Sequence, residues 1–139
     1  MIAVIRIKGQ VEVKKDIKET LDKLRLRKKF VCVVLKEKNE IIGMVKKVEN
    51  FVAYGNITKE MFIELVEKRG ELIDKTKKVN KKKFAEEFFE SGKKLSEFNI
   101  KPFFRLPPPR GGINSKERFP KGVLGNHREK INELIRRML

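Results

Sequence analysis

The hydrophobic pattern of the first 57 residues switches back and forth between the two-residue period of a strand and the 3.6-residue period of a helix. From Ile2 to Lys8, Ile5 and Ile7 alternate with Arg6 and Lys8, which predicts a strand ended by Gly9. Asp16, with Glu19 three residues on, predicts a helix opened by a capping box, and Ile17, Leu21 and Leu24 recur on one of its faces. A basic stretch then leads into Phe30 to Leu35, too short and too β-branched for a helix. Asn39 to Val48 reads as a second helix, with Ile41, Met44, Val45 and Val48 on the buried stripe. Gly43 lies inside it at a cost of about 1 kcal/mol relative to Ala, and is expected to serve a close backbone approach. Phe51 to Tyr54 is a third strand, with Gly55-Asn56 as the turn signal that ends it. The order is β-α-β-α-β, and two helices on a three-stranded sheet make a two-layer α+β sandwich.

Beyond residue 57 the pattern is helical and then irregular. Thr58 is expected to cap a helix over about 59–69 carrying Met61, Phe62, Leu65 and Val66, with Gly70 stopping it. Asn80 is expected to cap another over about 81–91, with Phe84, Ala85, Phe88 and Phe89 facing one way and Gly92 beyond. Residues 101–125 hold all five prolines together with Gly111, Gly112, Gly122 and Gly125, a density of breakers that predicts no regular element. An amphipathic helix over 128–138, with Ile131, Leu134, Ile135 and Met138 on one side, closes the chain. The division is therefore a compact unit of residues 1–57 and an extension of residues 58–139. Val31 to Leu35 is apolar on both faces, so something is expected to cover the open side of the sheet, and the extension is the candidate.

Charge narrows the function. Thirty-five Lys and Arg against 19 Asp and Glu leave +16 over 139 residues, an excess that repels itself and favours a polyanionic partner. Nucleic acid fits, because each neutralised phosphate releases a condensed counterion. An anionic membrane fits less well, since the positive charge is not confined to one amphipathic helix. No apolar stretch approaches the roughly 18 residues of a spanning helix. The start MIAVIRIKGQ lacks the pattern of a signal peptide, which leads to the expectation of a cytoplasmic protein. The single cysteine, Cys32, lies within the apolar run FVCVVL, so neither an internal disulfide nor a cysteine metal site is expected.

Enzyme readings fail at the inventory. There is one histidine, His127, expected as a cap or surface residue, and the three aspartates Asp16, Asp22 and Asp74 look solvated. The chain carries no P-loop, no dinucleotide-binding glycine fingerprint and no His-Glu metal motif. No catalytic residue, metal or cofactor is implied, since no nucleophile–base pair or ligand cluster can be assembled.

Binding residues are easier to nominate. The segment KPFFRLPPPRGG and its continuation hold Lys101, Arg105, Arg110, Lys116, Arg118, Lys121 and Arg128 against the one acid Glu117. A polyproline conformation keeps such a segment stretched without a core of its own. Guanidinium groups can bridge phosphates or stack on bases, and Phe103 and Phe104 can stack or pack. Arg105 and Arg110 are expected to anchor on phosphates, with the three prolines holding their spacing. The alternative is a proline-rich linker or a ligand for a peptide-binding domain. Arg25, Arg27, Lys28 and Lys29 cluster where the first helix ends, although one or two of them can serve the helix dipole instead. Lys77, Lys78, Lys81, Lys82 and Lys83 surround a predicted helix start, where the dipole disfavours cations and an external anion explains them better. Phe62, Phe84, Phe88 and Phe89 are expected in the core.

The runs IRIKGQVEVKKDIKETLDKLRLRKK, IIGMVKKVENFVAYGNI, KPFFRLPPPRGG and PKGVLGNHREKINELIRRML together resemble an archaeal-type large-subunit ribosomal protein of the L-thirty family, whose longer eukaryotic relative is called L-seven. The resemblance runs over nearly the whole chain, and the Gly43-Met44 pair, Tyr54-Gly55 and Phe103 to Gly112 are its most specific parts. Residues 1–57 are similar to the entire bacterial form; the rest resembles the archaeal and eukaryotic extension. The missing basic amino-terminal arm of the eukaryotic form favours the archaeal type. The resemblance implies an antiparallel sheet in order 3-1-2 with both helices on one face. It also implies a structural role on 23S rRNA in the 50S subunit, with neighbouring ribosomal proteins and 5S rRNA close by, and no catalysis. A free-standing RNA- or DNA-binding regulator is the alternative; a helix-turn-helix over residues 59–92 would need a tighter turn than Gly70 to Val79 allows.

Overall fold

Strand residues that are apolar at every position need cover on both sides, and the fold supplies it. The computed structural model describes residues 1–9, 14–36, 38–70, 83, 85–88, 103–109 and 124–139. In chain order these form β1 (Ile2–Arg6), α1 (Lys15–Lys23), β2 (Val31–Leu35), α2 (Asn39–Lys47), β3 (Val52–Asn56) and α3 (Lys59–Arg69). Then come β4 (Phe104–Arg105), β5 (Gly125–Asn126), a 3₁₀ turn (Arg128–Lys130) and α4 (Ile131–Met138); residues 83 and 85–88 are helical as well.

The central three strands take the expected order, with β1 between β2 and β3 and antiparallel to both. The sheet is nevertheless a mixed one of five strands, β4-β2-β1-β3-β5, rather than three. Residues 104–105 pair antiparallel with β2, and residues 125–126 pair parallel with β3. Both fall in or at the end of the segment expected to be wholly irregular. The prolines still set the limit. After the Leu106 amide donates to the Phe30 carbonyl at 3.1 Å, Pro107 to Pro109 have no N–H with which to extend the ladder.

Alternate side chains divide between two cores. Ile2, Val4, Val31, Val33 and Val52 meet Leu21, Leu24, Leu26, Val45 and Val48 from the α1/α2 side, so both helices of the first unit lie on one face as expected. Ala3, Ile5, Cys32, Val34 and Ala53 face the other way, under Phe62, Leu65, Ile131 and Ile135 of α3 and α4. Ala85 and Phe88 join this second core, and Phe62 stacks on Phe88 at 5.1 Å while meeting Phe104 edge-on at 6.5 Å. The extension thus covers the open side, and three layers stand where the first unit alone has two. All four apolar residues assigned to the last helix are buried.

Several local expectations change. Gly55 and Asn56 lie within β3 rather than in a turn. A β-carbon on Gly55 would overlap the Arg128 carbonyl and meet the Ile131 β-carbon at 2.9 Å, so this glycine lets the last helix dock. Asn132 fastens the same junction. Its amide donates to the Asn56 and Glu129 carbonyls at 3.1 and 2.7 Å and accepts from the Thr58 amide at 3.0 Å. Gly43, by contrast, serves no approach among the described residues, none of which comes within 4 Å of an added β-carbon. Asp16 is not a cap: α1 starts at Lys15, and the Asp16 carboxylate sits in its first turn, accepting from the Ile17 amide at 2.9 Å. Thr58 does cap α3, accepting from the Met61 amide at 3.3 Å. The proposed cap Asn80, and Phe84, Phe89 and Gly92, lie outside the described residues.

Candidate nucleic-acid interface

Helix α1 ends in a way that throws a cation outward. The Leu26 amide donates to the Leu21 carbonyl at 2.8 Å and the Arg25 amide to the Asp22 carbonyl at 3.0 Å. This paired closure requires a left-handed residue between helix and strand. That residue is Arg25, at φ 66°, where a side chain crowds its own backbone and glycine is the usual occupant. Leu26 turns back into the core beside Leu21, and Arg25 is left exposed. The loop leaves through a second left-handed residue, Phe30, at φ 65°.

Between those two points the loop is held by Arg6. Its guanidinium donates to the Leu26 carbonyl at 2.7 Å, the Lys8 carbonyl at 2.9 Å and the Gly9 carbonyl at 3.4 Å, while its own carbonyl accepts from the Phe30 amide at 2.7 Å. Arg6 is buried, at 1% exposure, although it holds a polar position of the alternating strand. Burial lowers the guanidinium pKa below its ordinary value, and the Asp22 charge works in the opposite direction. A signal was present in the sequence: Ile2, Val4 and Arg6 share one face, and the first two are apolar.

The register of β4 completes the site. Arg105 lies opposite Val31 and Phe104 opposite Cys32, so the two phenylalanines part company. Phe104 enters the second core, fully buried. Phe103 stays half-buried on the α1 side, with the Arg105 guanidinium 5.9 Å from its ring centre. Together Arg25, Arg27, Lys28, Val31, Phe103 and Arg105 line an open recess of about 250 Å³. Two segments nearly eighty residues apart in sequence thus bring four cations and two apolar side chains to one recess.

Of the other nominated residues, those that are described do not line it. Lys29 is exposed on the same loop, with its ammonium 5.0 Å from the Phe30 ring centre. Arg128 is exposed at the opposite edge of the sheet, beside β5, at φ 53°. Lys83 is exposed on the helical residues that pack against the second core. Lys77, Lys78, Lys81, Lys82, Lys101, Arg110, Lys116, Arg118 and Lys121 lie outside the described residues. His127 is buried, at 6% exposure, with its amide donating to the Tyr54 carbonyl at 2.7 Å, so it is no surface residue. Among the described residues no three His, Cys, Asp or Glu side chains gather as metal ligands, and no helix is long and apolar enough to cross a membrane.

Comparison with known proteins agrees with the resemblance. The model of the family described as ribosomal protein L30p/L7e matches residues 2–52. The large ribosomal subunit protein uL30 of Archaeoglobus fulgidus is 39% identical over 151 aligned positions, covering 99% of each chain. That of Methanococcus vannielii is 38% identical, covering 99% of this chain and 98% of its own. That of Nanoarchaeum equitans is 35% identical, covering 100% and 99%. With 35–39% identity over alignments that cover 99–100% of this chain, the chain belongs to the ribosomal protein L30p/L7e family, in its archaeal form.

Proposed function

We propose that the protein is a structural constituent of the large ribosomal subunit of cytoplasmic ribosomes. There it binds and stabilises folded 23S rRNA, close to 5S rRNA and among other large-subunit proteins. The observation that carries this reading is the gathering of Arg25, Arg27, Lys28 and Arg105 around one recess. A solvated charge run needs no such convergence; a phosphate backbone does. Lys29, Lys83 and Arg128, with Lys77, Lys78, Lys81, Lys82, Lys101, Arg110, Lys116, Arg118 and Lys121, supply further phosphate contacts in this reading. The net charge of +16 supports several contacts at once. The affinity for rRNA is therefore expected to fall steeply with salt, by about 0.7–0.9 log units per log unit of salt for each phosphate contacted.

The test is co-sedimentation with large subunits through high-salt washes. Wild-type protein stays bound. Reversing the recess charges with Arg25→Glu, Lys28→Glu and Arg105→Glu releases it, whereas Lys18→Glu with Lys23→Glu on exposed α1 positions has little effect. Wild-type protein found only at the top of the gradient would favour the free-standing regulator.

A further inference from the structure

We propose that the recess between the end of α1 and β4 is a nucleotide socket. It takes one unstacked RNA nucleotide, with the base against Phe103 and Val31 and the flanking phosphates on Arg25 and Arg105. The proposal rests on the rRNA-binding reading and deepens it by naming the RNA feature recognised.

Three observations point to an unstacked nucleotide rather than a duplex. The first is composition: two apolar side chains and four cations line one recess. Phosphates alone draw nothing from apolar side chains, and a duplex keeps its base faces stacked away from protein. A splayed base offers one flat apolar face together with phosphates on either side. The second is the pairing of Phe103 with Arg105, which sets a ring and a planar guanidinium beside each other in the lining. Both are surfaces on which bases stack without regard to sequence.

The third is backbone conformation. Arg25 occupies a left-handed position that glycine fills with less strain, yet its side chain is exposed rather than used in the core. Strain of this kind persists where function holds it. Meanwhile Arg6 ties both ends of the loop, through the Leu26 carbonyl and the Phe30 amide, so the cations stand ready before RNA arrives and less freedom is lost on docking.

The experiment uses the full chain and two probes, a single-stranded adenosine hexanucleotide and a blunt RNA duplex. Phe103→Leu keeps apolar bulk and removes the ring. It is expected to weaken hexanucleotide binding about tenfold, the scale of one lost base–aromatic stack, and to leave duplex binding within about twofold. Phe103→Tyr keeps the ring and is expected to bind as wild type, which separates loss of stacking from loss of fold. Arg25→Gly is expected to weaken hexanucleotide binding and lower its salt slope by about 0.7, while the thermal midpoint rises. Equal weakening of both probes by Phe103→Leu, or none, overturns the socket; so does a lower thermal midpoint in Arg25→Gly, which would place that arginine in the service of the fold. If these variants fail while wild type still co-sediments with large subunits, the socket alone falls. If wild type does not co-sediment, the ribosomal reading falls and takes the socket with it.

Discussion

Arg6 is the residue on which the binding loop depends, although it touches no solvent. Its guanidinium satisfies carbonyls of the loop after α1 and of the turn after β1, so its removal orphans acceptors at both places. Arg6→Leu is expected to destabilise the protein by about 1–3 kcal/mol from the buried Leu26 carbonyl alone, measured by denaturant unfolding. Arg6→Lys should recover little, since an ammonium carries its donors on one nitrogen and cannot span carbonyls that Nε, Nη1 and Nη2 meet separately. A variant as stable as wild type would show that the loop holds itself. Cys32 makes a different kind of statement. Burial pushes its thiol up to about 12, so the folded chain keeps the proton through a range in which the unfolded chain loses it. The stability due to that difference is complete below the ordinary thiol pKa and declines as pH rises from there toward 12. Cys32→Ala should therefore lose less stability than wild type between neutral and strongly alkaline pH, as read from denaturation midpoints.

The elements show what a period can and cannot reveal. Seven of them, β1 to α3 and α4, were legible because each repeats its apolar period over at least one full turn or several strand residues. The short strands β4 and β5 were not. Two residues carry no period, and what makes them strands is the free edge of β2 or β3 beside them. The same limit hid half of the candidate site. The cations of the α1 loop stood out as a cluster, but nothing local said that Arg105 would lie against Val31, since that is decided by register. Glycine was legible only as a question. Gly43 reads as a close approach and Gly55 as part of a turn, yet of the two it is Gly55 that has a neighbour in the way. The two are expected to part on substitution. Gly43→Ala should stabilise the free protein by about 0.5–1 kcal/mol through helix propensity. Gly55→Ala should destabilise it by about 1–3 kcal/mol or more, because α4 must shift. Equal effects on the thermal midpoint would contradict this account.

At the scale of the whole molecule, we propose that residues 1–57 form the folding unit and residues 58–139 a cover built onto it. The first unit carries its own core between α1, α2 and one face of the sheet. The fragment 1–57 is expected to unfold cooperatively but with marginal stability, as is usual at that size. It should also self-associate, because Ala3, Ile5, Ile7, Cys32, Val34 and Ala53 lose the layer above them. Circular dichroism and size-exclusion chromatography test both halves of that expectation; a fragment without a cooperative transition would move the boundary. The two short flanking strands have a further consequence, for synthesis. They come from late in the chain, so β2 and β3 leave the ribosome with their outer rows of N–H and C=O groups bare. At a synthesis rate of about 5–20 residues per second, several seconds separate the emergence of Asn56 from that of Asn126. Throughout that interval the nascent sheet is a template for any other strand. Its own charge stands guard, since basic residues outnumber acidic ones 14 to 7 in the first 57 positions and two such chains repel.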